Sequence, residues 1–390
     1  MYLDPDLADA FKVFDAIRAD MTDEYCQPHN YPWVVGFSGG KDSTLVVHLV
    51  FDVLLALAPA DRKRPVHIVS NDTLVESPLV IEHIARVQEE IKAAASAWRL
   101  PVHVVTTRPE NDRTFWVNLI GRGYPTPNRK FRWCTDRMKI QPTSVYIKRQ
   151  VAASGRVILL LGVLRAESAA RARTVARYDN GQRLNPHNDI QGCQFYRPIV
   201  ELSTDTVWEF LASVPPPWGG SHQALIQLYR DASGGDCPVV TQKSDIPSCG
   251  TTSSRFGCWT CTVVEKDRSL EGIVASGFKN FKPLLEFRDW LMKIRNDPEK
   301  RSMRRRGGRY KIGHDGKLIP GPFTLQARME ILDRLLQVQD SVGMTLISDD
   351  ELRQIRDIWA RDALDETTFD RLLPSPEKYL RYARGADVAS

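Results

Sequence analysis

At 390 residues, with 42 % hydrophobic and 26 % charged side chains, the chain is too long for one ordinary domain and has the composition of a soluble globular protein. Its formal charge of +5 permits a polyanionic partner without demanding one. The residues Met1 to Asp6 are acidic, with no cationic-then-apolar leader, and the longest apolar stretch, Leu45 to Leu57, carries His48 and Asp52 and is too short for a bilayer. A cytoplasmic protein with no membrane partner is therefore expected.

The first informative segment runs from Trp33 to Thr44. An apolar strand, Trp33-Val34-Val35-Gly36, enters the turn Phe37-Ser38-Gly39-Gly40 and then an amphipathic helix beginning Lys41-Asp42-Ser43-Thr44. Glycines let backbone N–H groups converge on an anion, and the helix adds its unsatisfied amides and positive dipole end. Lys41 adds a charge, and Ser38, Ser43 and Thr44 add hydroxyls. The spacing is not G-x-x-x-x-G-K-[ST], which excludes a kinase-type loop. It resembles instead the S-G-G-x-D-S pyrophosphate loop of the adenine nucleotide alpha hydrolases, which cleave ATP between the α and β phosphates.

Further strands are expected at Val66 to Ser70, Val102 to Thr106 and Val157 to Gly162, with a long helix from about Ser77 to Trp98. Strands alternating with helices at this spacing predict an α/β fold: a Rossmann-like, doubly wound, mostly parallel sheet. The wholly apolar Val157 to Leu161 is the pattern of a central strand. Ligands of such sheets sit at the carboxyl ends of the strands, where Asp72 and Thr73 follow the second strand. They either meet the ribose end of a nucleotide or cap the next helix.

Two clusters resemble the phosphoadenylyl-sulfate reductase branch of the same superfamily. One is Arg132-Trp133-Cys134-Thr135-Asp136-Arg137-Met138-Lys139; the other is Gly162-Val163-Leu164-Arg165-Ala166-Glu167-Ser168-Ala169-Ala170-Arg171. Arg132, Arg137, Lys139, Arg165 and Arg171 would make a cationic cleft for phosphates. Farther on, Ser203 or Thr204 reads as a helix cap, with Val207, Phe210 and Leu211 as a buried stripe.

A break at Pro215 to Gly220 suggests an ATP-handling α/β domain over 1–217, a Cys-rich segment over 218–275, and a mainly helical region over 276–390 with a basic stretch. Cys237, Cys249, Cys258 and Cys261, the last two a C-x-x-C, form a set able to wrap one soft metal centre, either a [4Fe–4S] cluster or Zn. Cys26 and Cys193 lack such companions. Cys134 lies among Arg132, Arg137 and Lys139, which favour the thiolate, so it is a candidate sulfur carrier with cluster ligation as its rival role. Cluster-bearing sulfonucleotide reductases have a Cys-Cys pair at that place; here Trp133 precedes Cys134, so that ligand set is incomplete.

Together, Phe37 to Thr44, Trp133 to Lys139, and Ser248-Cys249-Gly250 with Arg255 to Val264 resemble the DndC family, sulfurtransferases of bacterial DNA phosphorothioation, with the related SspD family close. The likeness spans roughly residues 30 to 275. It implies an ATP pyrophosphatase with a [4Fe–4S] cluster that works with a cysteine desulfurase and other phosphorothioation proteins on DNA. Ser38, Gly39, Gly40, Lys41, Asp42, Ser43 and Thr44 would then hold the β and γ phosphates, with Asp42 on Mg²⁺ and Arg165 and Arg171 at the adenylyl phosphate. Lys300, Arg301, Arg304, Arg305, Arg306, Arg309 and Lys311 would grip DNA, unless that run is only a solvated face. A tRNA-thiolating enzyme and a non-catalytic nucleic-acid module are the rivals. A sulfonucleotide reductase is a weaker one, since it needs a reducing cysteine in a C-terminal tail and none follows Cys261 in this sequence.

Overall fold

A strand that is apolar on both sides of its pleat is stable only where helices cover both faces. The computed structural model, which describes residues 5–233, 257–305, 309–314 and 316–369, places the two most apolar runs side by side as β1 (Trp33–Gly36) and β4 (Val157–Leu160). Around them lie β2 (Val66–Asn71), β3 (Val102–Thr107), β5 (Leu184–Pro186) and β6 (Cys193–Tyr196). Among the described residues these six strands form one sheet in the order β3-β2-β1-β4-β6-β5, parallel except for the β5–β6 pair. The fold is the expected α/β type.

Successive strand residues feed opposite layers. Trp33, Val35, Ile158 and Leu160 join one apolar layer with Phe51 and Phe210, while Val34, Val157 and Leu159 join the other with Ile147. The helices are α1 (Pro5–Tyr25), α2 (Lys41–Ala56), α3 (Pro78–Ala97), α4 (Gln141–Ser154), α5 (Ala169–Tyr178), α6 (Thr204–Ser213), α7 (Gln223–Ala232) and α8 (Arg268–Ala275), followed by α9 (Lys282–Ile294), α10 (Leu325–Val342) and α11 (Asp349–Phe369). Ser203 is the cap of α6, accepting from the Thr206 N–H at 3.0 Å, and Val207, Phe210 and Leu211 are buried as the pattern predicts. Because the chain turns back between β1 and β4, the switch point of the sheet lies just past their carboxyl ends.

The chain divides into two compact units. The first is Met1–Pro109, Thr135–Trp259 and Asp267–Lys279, and the second is Glu110–Cys134, Thr260–Lys266 and Asn280–Ser390. In the second, a π-helical turn at Val117–Gly121 is tied to the C-terminal helices: Trp116 Nε1 donates to the Leu346 carbonyl at 2.7 Å, Trp359 Nε1 to Ile120 at 2.9 Å, and Arg328 Nη1 to Gly121 at 2.6 Å. Helices dominate after 276, interrupted between about 298 and 324 by the basic stretch.

Not all of that stretch is available to grip DNA or to stand as a solvated face, the two expectations for it. Arg301 is buried: its Nε donates to the Gly321 carbonyl at 2.8 Å, its Nη2 to Pro320 at 3.1 Å, and its guanidinium lies 5.4 Å from the centre of the Phe323 ring. Burial, with Arg305 and Arg295 nearby, lowers its pKa to about 10. Lys300 pairs with Glu330, and Arg304 packs on Tyr310, donating to its hydroxyl at 3.1 Å. Arg309 and Lys311 are exposed, Arg305 is half-buried, and Arg306 lies outside the described residues.

Candidate active site

The phosphate turn is closely packed at Gly39 and at Gly162. Gly39 has φ +71°, and a Cβ there would lie 2.4 Å from Ile84 Cγ1 of α3. On the other side, a Cβ on Gly162, just past β4, would come within 2.6 Å of the Asp42 backbone. Gly162 therefore lets the end of β4 close on the first turn of α2. Gly40 caps α2 with no side-chain hydrogen bond, so no cap side chain occupies the amides of that turn.

The hydroxyls hold the turn together. Ser43 Oγ donates to the Gly40 carbonyl at 3.0 Å, accepts from the Ser38 N–H at 3.2 Å and lies 3.1 Å from Ser38 Oγ. Lys41 Nζ is 2.8 Å from both carboxylate oxygens of Asp42, and the Lys41 side chain is only 11 % exposed. Thr44 Oγ1 is buried with no hydrogen-bond partner among the described residues. Seven consecutive predicted residues, Ser38 to Thr44, thus converge at one helix start, beside the switch point.

Sequence reasoning missed Tyr229. It reaches the loop from α7, its hydroxyl accepting from the Lys41 N–H at 3.4 Å, and packs edge-on against Trp208 at 4.8 Å. Burial raises its pKa, so it is a neutral hydroxyl. Only a signal linking residues nearly two hundred positions apart could have found it.

Asp72 and Thr73 stand at the end of β2, as expected, but are engaged within the chain. Asp72 Oδ1 accepts from the Leu74 N–H at 2.8 Å, supporting that residue at φ 64°, and Oδ2 pairs with Arg108 at 3.0 Å. Thr73 Oγ1 donates to Glu76 at 3.0 Å and lies 3.4 Å from Cys258 Sγ. Lys139 pairs with the same Glu76 at 3.1 Å, and its neighbour Met138 accepts from Asn71 Nδ2 at 2.7 Å, so the π-helical Thr135–Ile140 with half-buried Arg137 is fixed to the end of β2.

Arg165 follows β4, but its guanidinium bonds to Asp179 at 3.3 Å and Glu201 at 2.7 Å. Those carboxylates must yield before it can serve a phosphate. Arg171 lies in α5, and its side chain is outside the described residues; Arg132 is exposed.

Of the cysteines, Cys237 and Cys249 lie outside the described residues. Cys258 and Cys261 are half-buried thiols without a disulfide. Cys258 forms an isolated β-bridge with Glu76, and the Trp259 N–H donates to Val75 at 3.0 Å. In the second unit, Arg288 is fully buried and donates to the Cys261 and Glu265 carbonyls, each at 2.8 Å. Among the described residues no three metal-binding side chains come together. Cys134 is a half-buried thiol following Trp133, which is buried against Phe115 with ring centres 5.4 Å apart. Cys193 is buried with its thiol pKa pushed up to about 11, and Cys26 is exposed.

A profile of the phosphoadenosine phosphosulfate reductase domain matches residues 32–264, more than half of the chain. The chain belongs to that family. Two proteins of Methanocaldococcus jannaschii are relatives: Uncharacterized protein MJ0973, 26 % identical over 48 % of this chain and 38 % of its own length, and Uncharacterized protein MJ0066, 24 % identical over 48 % and 32 %. The chain thus spans about a third of the length of those relatives. Among solved structures it is similar to the phosphoadenylyl-sulfate reductase of Candida auris in a phosphate complex (12 % identity, 56 % of this chain, 91 % of that one, TM-score 0.32). A second is the U34-tRNA thiolase NcsA of Methanococcus maripaludis with its [4Fe–4S] cluster (12 %, 55 %, 70 %, TM-score 0.29). Likeness at that level specifies neither substrate nor cofactor. Among the described residues no helix is long and apolar enough to cross a membrane.

Proposed function

We propose that this protein is an ATP pyrophosphatase that activates a DNA backbone phosphate for replacement of a non-bridging oxygen by sulfur. The observation that supports ATP cleavage at the α phosphate is the phosphate loop: a helix start without a cap side chain, Gly39 in a left-handed conformation, and Lys41 beside Asp42. The choice of DNA rests on the motif resemblance over residues 30 to 275, not on geometry.

In this reading the loop Ser38 to Thr44 holds the β and γ phosphates, Lys41 balances charge on the departing pyrophosphate, and Asp42 would hold Mg²⁺, which neutralises the polyphosphate. A DNA phosphate oxygen attacks the α phosphorus and pyrophosphate leaves. A persulfide sulfur supplied through a cysteine desulfurase then attacks the adenylylated DNA phosphorus, AMP departs with the oxygen, and a thiol reductant cleaves the remaining S–S bond, leaving sulfur on phosphorus while the thiols become a disulfide. Arg165, released from Asp179 and Glu201, steadies the adenylyl group, with Arg171, Arg137 and Lys139 as further cations for its phosphate. Cys134 is the candidate carrier of the incoming sulfur. Cys237, Cys249, Cys258 and Cys261 would hold a [4Fe–4S] cluster, an electron-transferring or sulfur-handling group, with Zn as the structural alternative. The DNA footprint falls to the exposed Arg309 and Lys311, with Arg304 to Arg306.

The test is to incubate the protein, a cysteine desulfurase, ATP and DNA, digest the DNA, and analyse it by mass spectrometry. Phosphorothioate-linked dinucleotides support the reading, whereas sulfur found only in tRNA nucleosides favours the thiolase alternative and contradicts it.

A further inference from the structure

His83 belongs to none of the motifs above. It lies near the start of α3, 8 % exposed, beside the phosphate loop: a Cβ built on Gly39 would stand 3.5 Å from its Cδ2. Arg86 Nη2 bonds to Nδ1 at 3.2 Å. A guanidinium can only donate, so Nδ1 is the acceptor and the ring proton sits on Nε2. That Nε2 is enclosed and has no hydrogen-bond partner among the described residues. Thr44 Oγ1, one turn into α2 and 2 % exposed, is enclosed and unpartnered in the same way.

Burial, then the Arg86 charge, lowers the His83 pKa to about 4, with the Gly39 backbone partly offsetting this without completing a hydrogen bond. His222, at the start of α7, and His48 of α2 are also held neutral, at about 4 and about 3. The imidazole is therefore a neutral donor at physiological pH. An enclosed imidazole N–H and an enclosed hydroxyl that can also donate, beside a helix start with no side-chain cap, suit an anionic ligand.

We propose that His83 is an additional ligand of the phosphate loop, donating its Nε2–H to a phosphate oxygen of the pyrophosphate portion of the bound nucleotide, with Arg86 as the positioning residue that fixes the tautomer. This rests on the reading of the loop as a polyphosphate site. It adds a contact from α3, an element the loop motif does not include.

The test is calorimetric titration of the full chain with inorganic pyrophosphate. Wild type binds; His83→Ala binds about ten- to a hundredfold more weakly, the usual worth of a hydrogen bond to a charged group; and His83→Gln, which keeps an N–H donor, recovers most of the affinity. Equal affinity of wild type and His83→Ala overturns the proposal and leaves the loop reading intact. No binding by wild type overturns the loop reading itself. Should His83→Ala fail to fold, wild type carrying ¹⁵N-histidine decides: pyrophosphate shifts the His83 Nε2 resonance while Nδ1 stays unprotonated, and an unmoved signal overturns the proposal.

Discussion

The phosphate loop and the basic stretch from Lys300 to Lys311 both present cationic side chains in a short run, yet the structure uses them differently. In the loop, residues 38–44 act through backbone direction, and the side chains are fixed by neighbours at most five positions away. In the basic stretch, Arg301 spends its guanidinium on the carbonyls of Gly321 and Pro320, about twenty positions on. A cation next to glycines at a helix start is held near an anion site by local geometry. A cation in an irregular segment is equally suited to stapling that segment, because arginine satisfies several carbonyls at once.

This contrast separates loss of activity from loss of stability. Lys41→Ala is expected to lower AMP formation by about a hundred- to a thousandfold, as removal of a charge-stabilising donor does. Its thermal midpoint should stay close to wild type; a fall in both would make Lys41 a structural residue. Arg301→Ala should do the reverse, costing about 3 kcal/mol in urea denaturation because buried carbonyls lose their donor, while exposed Arg309→Ala stays within about 0.5 kcal/mol. Equal effects would show that Arg301 is not a clamp.

A pH titration probes the histidines of the first unit. His48, His83 and His222 have folded pKa values of about 3, 4 and 4, below the ordinary 6.5, with burial as the leading cause. Between those values and 6.5 the unfolded chain binds more protons than the folded one. The stability they contribute is complete above about pH 6.5 and is lost as pH falls, by up to about 1.4 kcal/mol per pH unit for each histidine. Denaturation midpoints at pH 7.5 and 5.5 check this, and a flat profile contradicts it. The smallest effect expected is on DNA binding: neutralising Arg304, Arg305 and Arg309 should flatten the salt dependence by about one unit of slope for each phosphate that no longer meets a cation. An unchanged slope would remove this stretch from the DNA footprint.

The parts legible in the sequence are those fixed by near neighbours. Strands β1 and β4 showed as unbroken apolar runs, α2 and α3 as amphipathic patterns, and the glycine turn by its spacing. Tyr229, His83 and the packing of Trp116 on Leu346 obey no local period, because each contact joins residues tens to hundreds of positions apart. Asp72 and Arg165 occupied the expected strand ends, but their charged neighbours Arg108, Asp179 and Glu201 come from elsewhere in the chain, and no motif announces them. The family is written in motifs; the substrate is not.

The most direct measurement of the central claim is product analysis of α-³²P- and γ-³²P-labelled ATP incubated with the protein, DNA, and a cysteine desulfurase supplied with cysteine and a thiol reductant. Cleavage at the α phosphate yields labelled AMP from the first and labelled pyrophosphate from the second. Labelled ADP with free orthophosphate would contradict the account.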